Sequence, residues 1–178
     1  MRFDEGNWML KEWTYEKSVE ELLFQARRDD VIGREWAVQG LANFGNDADV
    51  VEELSAIVFD DPFWAVRLAA VEAVASLSGQ AGLDILRAAA TDANSQVRRA
   101  AIRAMGDMAD AHLVDFFRNT FNADSSYQVQ AEALRAIGRS GDRDQLEFLT
   151  LAAGMDSPRN VIGTAAEYAI EEISRKDR

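Results

Sequence analysis

One pattern recurs through most of this chain and leaves little freedom in what it can fold into. Val66, Val97, Val129 and Ile162 are followed four residues on by Ala70, Ala101, Ala133 and Ala166, and eight on by Val74, Met105, Ile137 and Ile170. Those spacings put each trio on one face of a helix, and the central alanine lets a neighbouring helix come close. The period is 31 to 33 residues, and a weaker first copy sets Arg34, Ala37 and Leu41 in register with Arg67, Ala70 and Val74. A unit of this size cannot bury its apolar face alone. Five of them predict an all-α chain, a right-handed α-α superhelix of about five helix pairs.

The inner helices are expected over 61–79 and, in the other units, from Asp30 to Phe44, Ala93 to Met108, Ser125 to Ser140 and Pro158 to Ile173. Asp61 reads as the N-cap of its helix, Pro62 as the first helical residue and Gly79 as the end, with Asp92, Asp124 and Ser157 as the matching caps. The outer helices carry Val19, Leu22 and Leu23 behind a Ser18–Glu21 capping box, then Val50 to Val58, Leu83 to Leu86, Leu113 to Phe117 and Leu146 to Leu149. The stretch from Gly138 to Gly141 reads as a helix end. Glu167, Glu171 and Glu172 give the last inner helix the solvated outer surface of a capping unit, so the array is expected to end there.

Residues 1–17 stand outside the period. Phe3 to Asn7 reads as a turn and Trp8 to Trp13 as a short strand. A lone strand has no sheet to join. This extended segment is expected either to pack onto the first helices or, the favoured reading, to be the remnant of a preceding β domain, in which case Met1 is not the natural start; residues 18–178 are expected to form the repeat domain.

Two resemblances follow from these residues. Helix pairs whose second member begins Asp-x-x-x-x-Val-Arg-x-x-Ala, as from Asp61 to Ala70 and Asp92 to Ala101, resemble HEAT repeats. That resemblance implies a ladder of aspartate and arginine between neighbouring units, supplied by Asp61, Arg67, Asp92 and Arg98. Gln130 and Gly163 stand at the arginine position of the last two units and interrupt it. The segment Phe3 to Lys11, with Glu20 to Leu23 and Arg28 to Ala37, resembles the junction between the β-sandwich and the C-terminal helical domain of zinc aminopeptidases related to aminopeptidase N. Glu5 stands where that family has proline. This second resemblance implies the non-catalytic C-terminal domain of a bacterial zinc aminopeptidase, a metallopeptidase, in which it packs on the catalytic domains and shapes substrate access. Its partners would be the parent's catalytic and β domains, and its zinc would lie in the parent enzyme and not in this chain. The alternative, from a different class, is a standalone HEAT-repeat scaffold that binds a protein partner.

Chemistry of the chain's own is not visible. A zinc peptidase helix needs two histidines one turn apart with a glutamate beside the first, and the chain has one histidine, His112, expected at a helix start. Asp107, Asp110 and Asp115 lack the dense spacing of a calcium loop. With 31 acidic against 19 basic side chains the net charge is -12, which opposes nucleic acid and anionic membrane as partners. No run approaches the ~20 apolar residues of a membrane span. A soluble chain is expected, with nothing to choose between cytoplasm and periplasm.

Against this acidic background one basic group stands out. Positions two, six and ten after the apolar anchor are expected on the concave side, where units three and four hold Arg99, Arg103, Asp107, Arg135 and Arg139, with Arg98 adjacent. Guanidinium forks suit carboxylates or phosphates. The cluster is expected either to face peptide substrate, a catalytic domain or a protein partner, or to be neutralised by Asp107 and Glu132 as weak surface pairs. Leu68 and Val71 are expected as exposed apolar residues on the same side.

Overall fold

A computed structural model describes residues 16–45, 47–77 and 80–176, and every regular element in them is helical. The expected strand from Trp8 to Trp13 and most of the 1–17 segment lie outside the described residues. The chain divides into two compact units, Met1–Gly79 and Gln80–Arg178.

In the first unit, α1 (Val19–Arg28) packs on α2 (Val31–Leu41), α3 (Ala48–Asp60) packs on α4 (Trp64–Val74), and α2 lies against α4. The capping box forms as the sequence predicts: the Glu21 amide donates to Ser18 Oγ at 3.3 Å, and the Ser18 amide donates to Glu21 Oε2 at 3.0 Å. Helix α4 buries Val66, Ala69, Ala70, Val71, Ala73 and Val74. A helix apolar nearly all round is enclosed nearly all round, which corrects the expectation for Val71. It is fully buried, and Leu68 is half-buried.

In the second unit, α5 (Gln80–Ala89), α7 (Val114–Ala123) and α9 (Leu146–Ala153) form one layer, and α6 (Ser95–Asp107), α8 (Tyr127–Ser140) and α10 (Val161–Lys176) the other. Each pair packs internally, and α8 is sandwiched between α6 and α10. Val97, Val129, Ala101, Ala133, Met105 and Ile137 are all fully buried, as their recurrence demands. Ile170, the last of the series, is only half-buried.

Small residues set the spacing of the inner layer. A Cβ on Gly138 would lie 2.5 Å from Ala169 Cα, and one on Gly106 would lie 2.7 Å from Ala136 Cβ. Gly138 is thus an internal contact in the last turn of α8, and the helix end expected over Gly138 to Gly141 falls within that run. The helix stops at Gly141, whose amide donates back to the Ile137 carbonyl.

The recurring aspartates are not the N-caps they resemble. Helix α4 starts three residues after Asp61, behind Phe63, while α6 and α8 start behind Asn94 and Ser126. Each aspartate instead accepts the amide two residues on: Phe63 to Asp61 at 2.8 Å, Asn94 to Asp92 at 2.7 Å and Ser126 to Asp124 at 2.8 Å. This local turn leaves the other carboxylate oxygen free to face the preceding unit. Arg34 fills that role for Asp61 with Nε at 2.8 Å and Nη2 at 3.2 Å, and Arg98 for Asp124 with Nε at 2.7 Å and Nη2 at 2.9 Å.

These arginines have a second arm. Nη1 of Arg34, Arg67 and Arg98 donates to the carbonyl of Asp29, Asp61 and Asp92 in its own turn, at 3.1, 2.8 and 2.9 Å. Gln130 keeps only this arm, donating to the Asp124 carbonyl at 2.7 Å. The next unit has Ser157 where the aspartate would stand, so both halves of that rung are missing together. That is the arrangement that strands no charge, since a lone buried ion costs more than a missing pair.

Candidate functional site

Helix α6 brings Arg99, Arg103 and Asp107 to one face at intervals of one turn, and α8 sets Glu132, Arg135 and Arg139 opposite them. The centre of the group is Glu132, whose side chain is only 4% exposed. Arg99 Nε donates to its Oε2 at 3.4 Å and Arg139 Nη2 to its Oε1 at 3.3 Å. Nη2 of Arg103 and Nη1 of Arg135 stand 3.6 and 3.7 Å from Oε2, near enough for charge but too far for a hydrogen bond. Asp107 Oδ1 lies 3.2 Å from Arg139 Nε without the alignment of a hydrogen bond. Gly106 makes room for this network, because a Cβ there would stand 2.7 Å from Arg139 Nη2.

The structure therefore brings together Arg99, Arg103, Arg135 and Arg139. Arg98 belongs to the ladder with Asp124 and is turned away to it. The weak surface pairing weighed for the cluster does not describe Glu132, which is a buried carboxylate shared by four guanidinium groups. Four arginines less Glu132 and Asp107 leave a local charge of +2 on a chain whose net charge is -12. Arg103, half exposed, presents most of its fork to solvent.

The cluster continues into an open hollow of about 640 Å³ at the starts of α8 and α10, lined by Ser125, Ser126, Tyr127, Arg135, Arg159 and Thr164 among others. Thr164 stands two residues after Ile162, so the rule that picked out Arg99 would also have found it. Arg159 had no such signal. Its position depends on a left-handed turn, φ 55° at Arg159 and 53° at Asn160, held by Asn160 N–H donating to the Ser157 carbonyl at 2.9 Å and Ile162 N–H to Ser157 Oγ at 3.0 Å.

Electrostatics mark the ladder more than the cluster. The hydrogen bonds it donates to Asp124 raise the Arg98 guanidinium above its ordinary value against the opposing effect of burial. Burial pushes the Asp124 carboxyl up, but the Arg98 hydrogen bond, the Ser126 amide and the Arg98 charge outweigh it and leave the group below the usual carboxylate range. His112 lies exposed in a short 3₁₀ turn, its amide donating to Asp110 Oδ1 at 2.9 Å. Among the described residues no three histidine, cysteine or acidic side chains gather to hold a metal, and no helix is long and apolar enough to cross a membrane.

Solved structures share this architecture at low identity. The complex of CpcE and CpcF of phycocyanin lyase from Nostoc matches 95% of this chain and 70% of its own at 17% identity, with a TM-score of 0.64. Human deoxyhypusine hydroxylase matches 72% at 18% identity and a TM-score of 0.62, this chain spanning only 45% of that enzyme. A designed armadillo repeat protein in complex with the peptide (KR)4 matches 87% of this chain and 81% of its own at 18% identity, with a TM-score of 0.55. These likenesses establish the fold. No curated protein matches the sequence. The family model of HEAT repeats matches residues 19–97 and 83–170. With paired helices, a recurring apolar triplet and an aspartate–arginine ladder already in view, that match places this chain in the HEAT-repeat family.

Proposed function

We propose that this chain is a HEAT-repeat scaffold that holds a protein partner on the arginine-bearing face of α6 and α8. The observation that carries the reading is the buried Glu132, which holds four arginines together on an otherwise acidic chain. Such a cluster has no need to exist for stability, since an apolar contact would serve a helix interface as well or better. Presented on a rigid helical layer, it is a surface on which guanidinium forks are preorganised for acceptor groups of a partner. Two of the similar structures are complexes, one of two protein chains and one with a peptide, which fits the use of this fold as a platform.

The test is affinity capture from a lysate of the source organism with the wild-type chain and with Arg103→Glu/Arg135→Glu. Both side chains have solvent access, so the variant is expected to fold. A protein retained by the wild type and lost from the variant is expected. Identical retained sets from the two would remove the arginine face from the account.

The second reading is the helical domain of a zinc aminopeptidase, carried by the junction-like residues Phe3 to Lys11. In that setting the same face meets the parent's own catalytic and β domains or its peptide substrate. The reading frame upstream of Met1 separates the two: a paired-histidine zinc motif supports the peptidase, and a stop codon directly before Met1 supports the scaffold.

A further inference from the structure

The hollow beside the cluster differs from the rest of the surface in one respect. Acidic side chains number 31 in 178 residues, yet the lining of the hollow contains no carboxylate while it contains two arginines and four hydroxyl side chains. Arg135 is tied to Glu132 only by its 3.7 Å charge contact, which leaves most of its donors uncommitted. Arg159 makes no ion pair or side-chain hydrogen bond among the described residues. The left-handed backbone at Arg159 is a conformation that a long side chain takes up reluctantly. The first turn of α8, which has no side-chain cap, adds the partial positive charge of its amide end.

We infer that this hollow is the anchor subsite for an acidic side chain, aspartate or glutamate, of the segment bound by the arginine face. Arg159 and Arg135 grip its carboxylate, the Tyr127 and Thr164 hydroxyls complete its hydrogen bonds, and neighbouring acidic residues of the segment run towards Arg103. The inference rests on the scaffold reading and adds the chemistry of the partner. A peptide is favoured over a nucleic acid because its carboxylates can be spaced by neutral residues, whereas a nucleic acid brings a phosphate at every step against a net charge of -12. A single carboxylate seated in the hollow is governed by the arginines nearest to it.

The experiment is fluorescence anisotropy of the full chain with a fluorescein-labelled peptide of alternating glutamate and glycine, and with its glutamine counterpart. Saturable binding of the glutamate peptide alone is expected. Arg159→Gly is expected to weaken it roughly tenfold while leaving the melting temperature unchanged or higher, since glycine is at ease at φ 55°. Arg135→Gln should weaken it similarly, and Arg87→Gln on the exposed side of α5 should not. Equal binding of the glutamine peptide, or tighter binding of a single-stranded oligonucleotide, would overturn the inference. Loss on Arg103→Glu without loss on Arg159→Gly would overturn the hollow as anchor and leave the scaffold reading standing. A captured partner together with no affinity for the glutamate peptide would overturn the acidic chemistry and again spare the scaffold.

Discussion

Asp124→Asn is expected to cost the chain about 3 kcal/mol of stability, read as a fall of roughly 10 °C in melting temperature. Asparagine keeps an oxygen for the Ser126 amide, so the loss isolates the partnership with Arg98. Both groups are largely enclosed, with 15% of the Arg98 side chain and 8% of the Asp124 side chain exposed, so solvent does little to screen the stranded cation. Repeat four shows how the protein itself lives without the rung: Gln130 retains the arm to its own turn and carries no charge. Arg98→Gln added to Asp124→Asn should therefore recover more than half of the loss. The Asp124 carboxyl is held below its ordinary value in the folded chain. Its contribution is thus present above the unfolded value of about 3.9 and is lost as pH falls through the lower folded value. The melting difference between wild type and Asp124→Asn should be constant above about pH 5 and shrink in stronger acid. A difference that grows in acid would contradict the sign.

Glu132→Gln is expected to lower stability and binding together. Removing the shared anion raises the local charge from +2 to +3 and leaves four guanidinium groups facing an amide, at a cost of about 2 kcal/mol. The cost stays well below that of an isolated buried ion because the four arginines retain some solvent access and can turn outward. Added salt should narrow the gap by screening their repulsion. The same change should weaken the hold on an acidic peptide, since the arginines lose the carboxylate that keeps their forks in place. Calorimetric melts and peptide titrations on one preparation read both effects. A variant that is destabilised yet binds more tightly would make Glu132 a competitor for the arginines and not the residue that positions them.

The helix pairs were legible because their signal is local and repeated. Val66, Ala70 and Val74 state a helix face by spacing alone, and three further copies state the stack. The role of the recurring aspartates was misread for an instructive reason. Residue type and position fit an N-cap, but the partner that draws Asp61 and Asp124 out of that role is an arginine 27 or 26 residues earlier, which no local rule weighs. The cluster was half legible. Helical spacing found Arg99, Arg103, Arg135 and Arg139, whereas the burial of Glu132 depends on how closely α6 approaches α8 through Gly106 and Ala136. The hollow was hidden because it turns on a left-handed Arg159, and only the following Asn160, a residue tolerant of that conformation, hints at it.

The arginine face as the binding surface is tested most directly by phenylglyoxal footprinting of the chain alone and with its captured partner. Arg103, Arg135 and Arg159 should react freely in the isolated chain and be protected in the complex, while Arg87 on α5 reacts equally in both. Protection of Arg87 with unchanged reactivity at Arg103 and Arg135 would place the partner on the other layer and contradict the account.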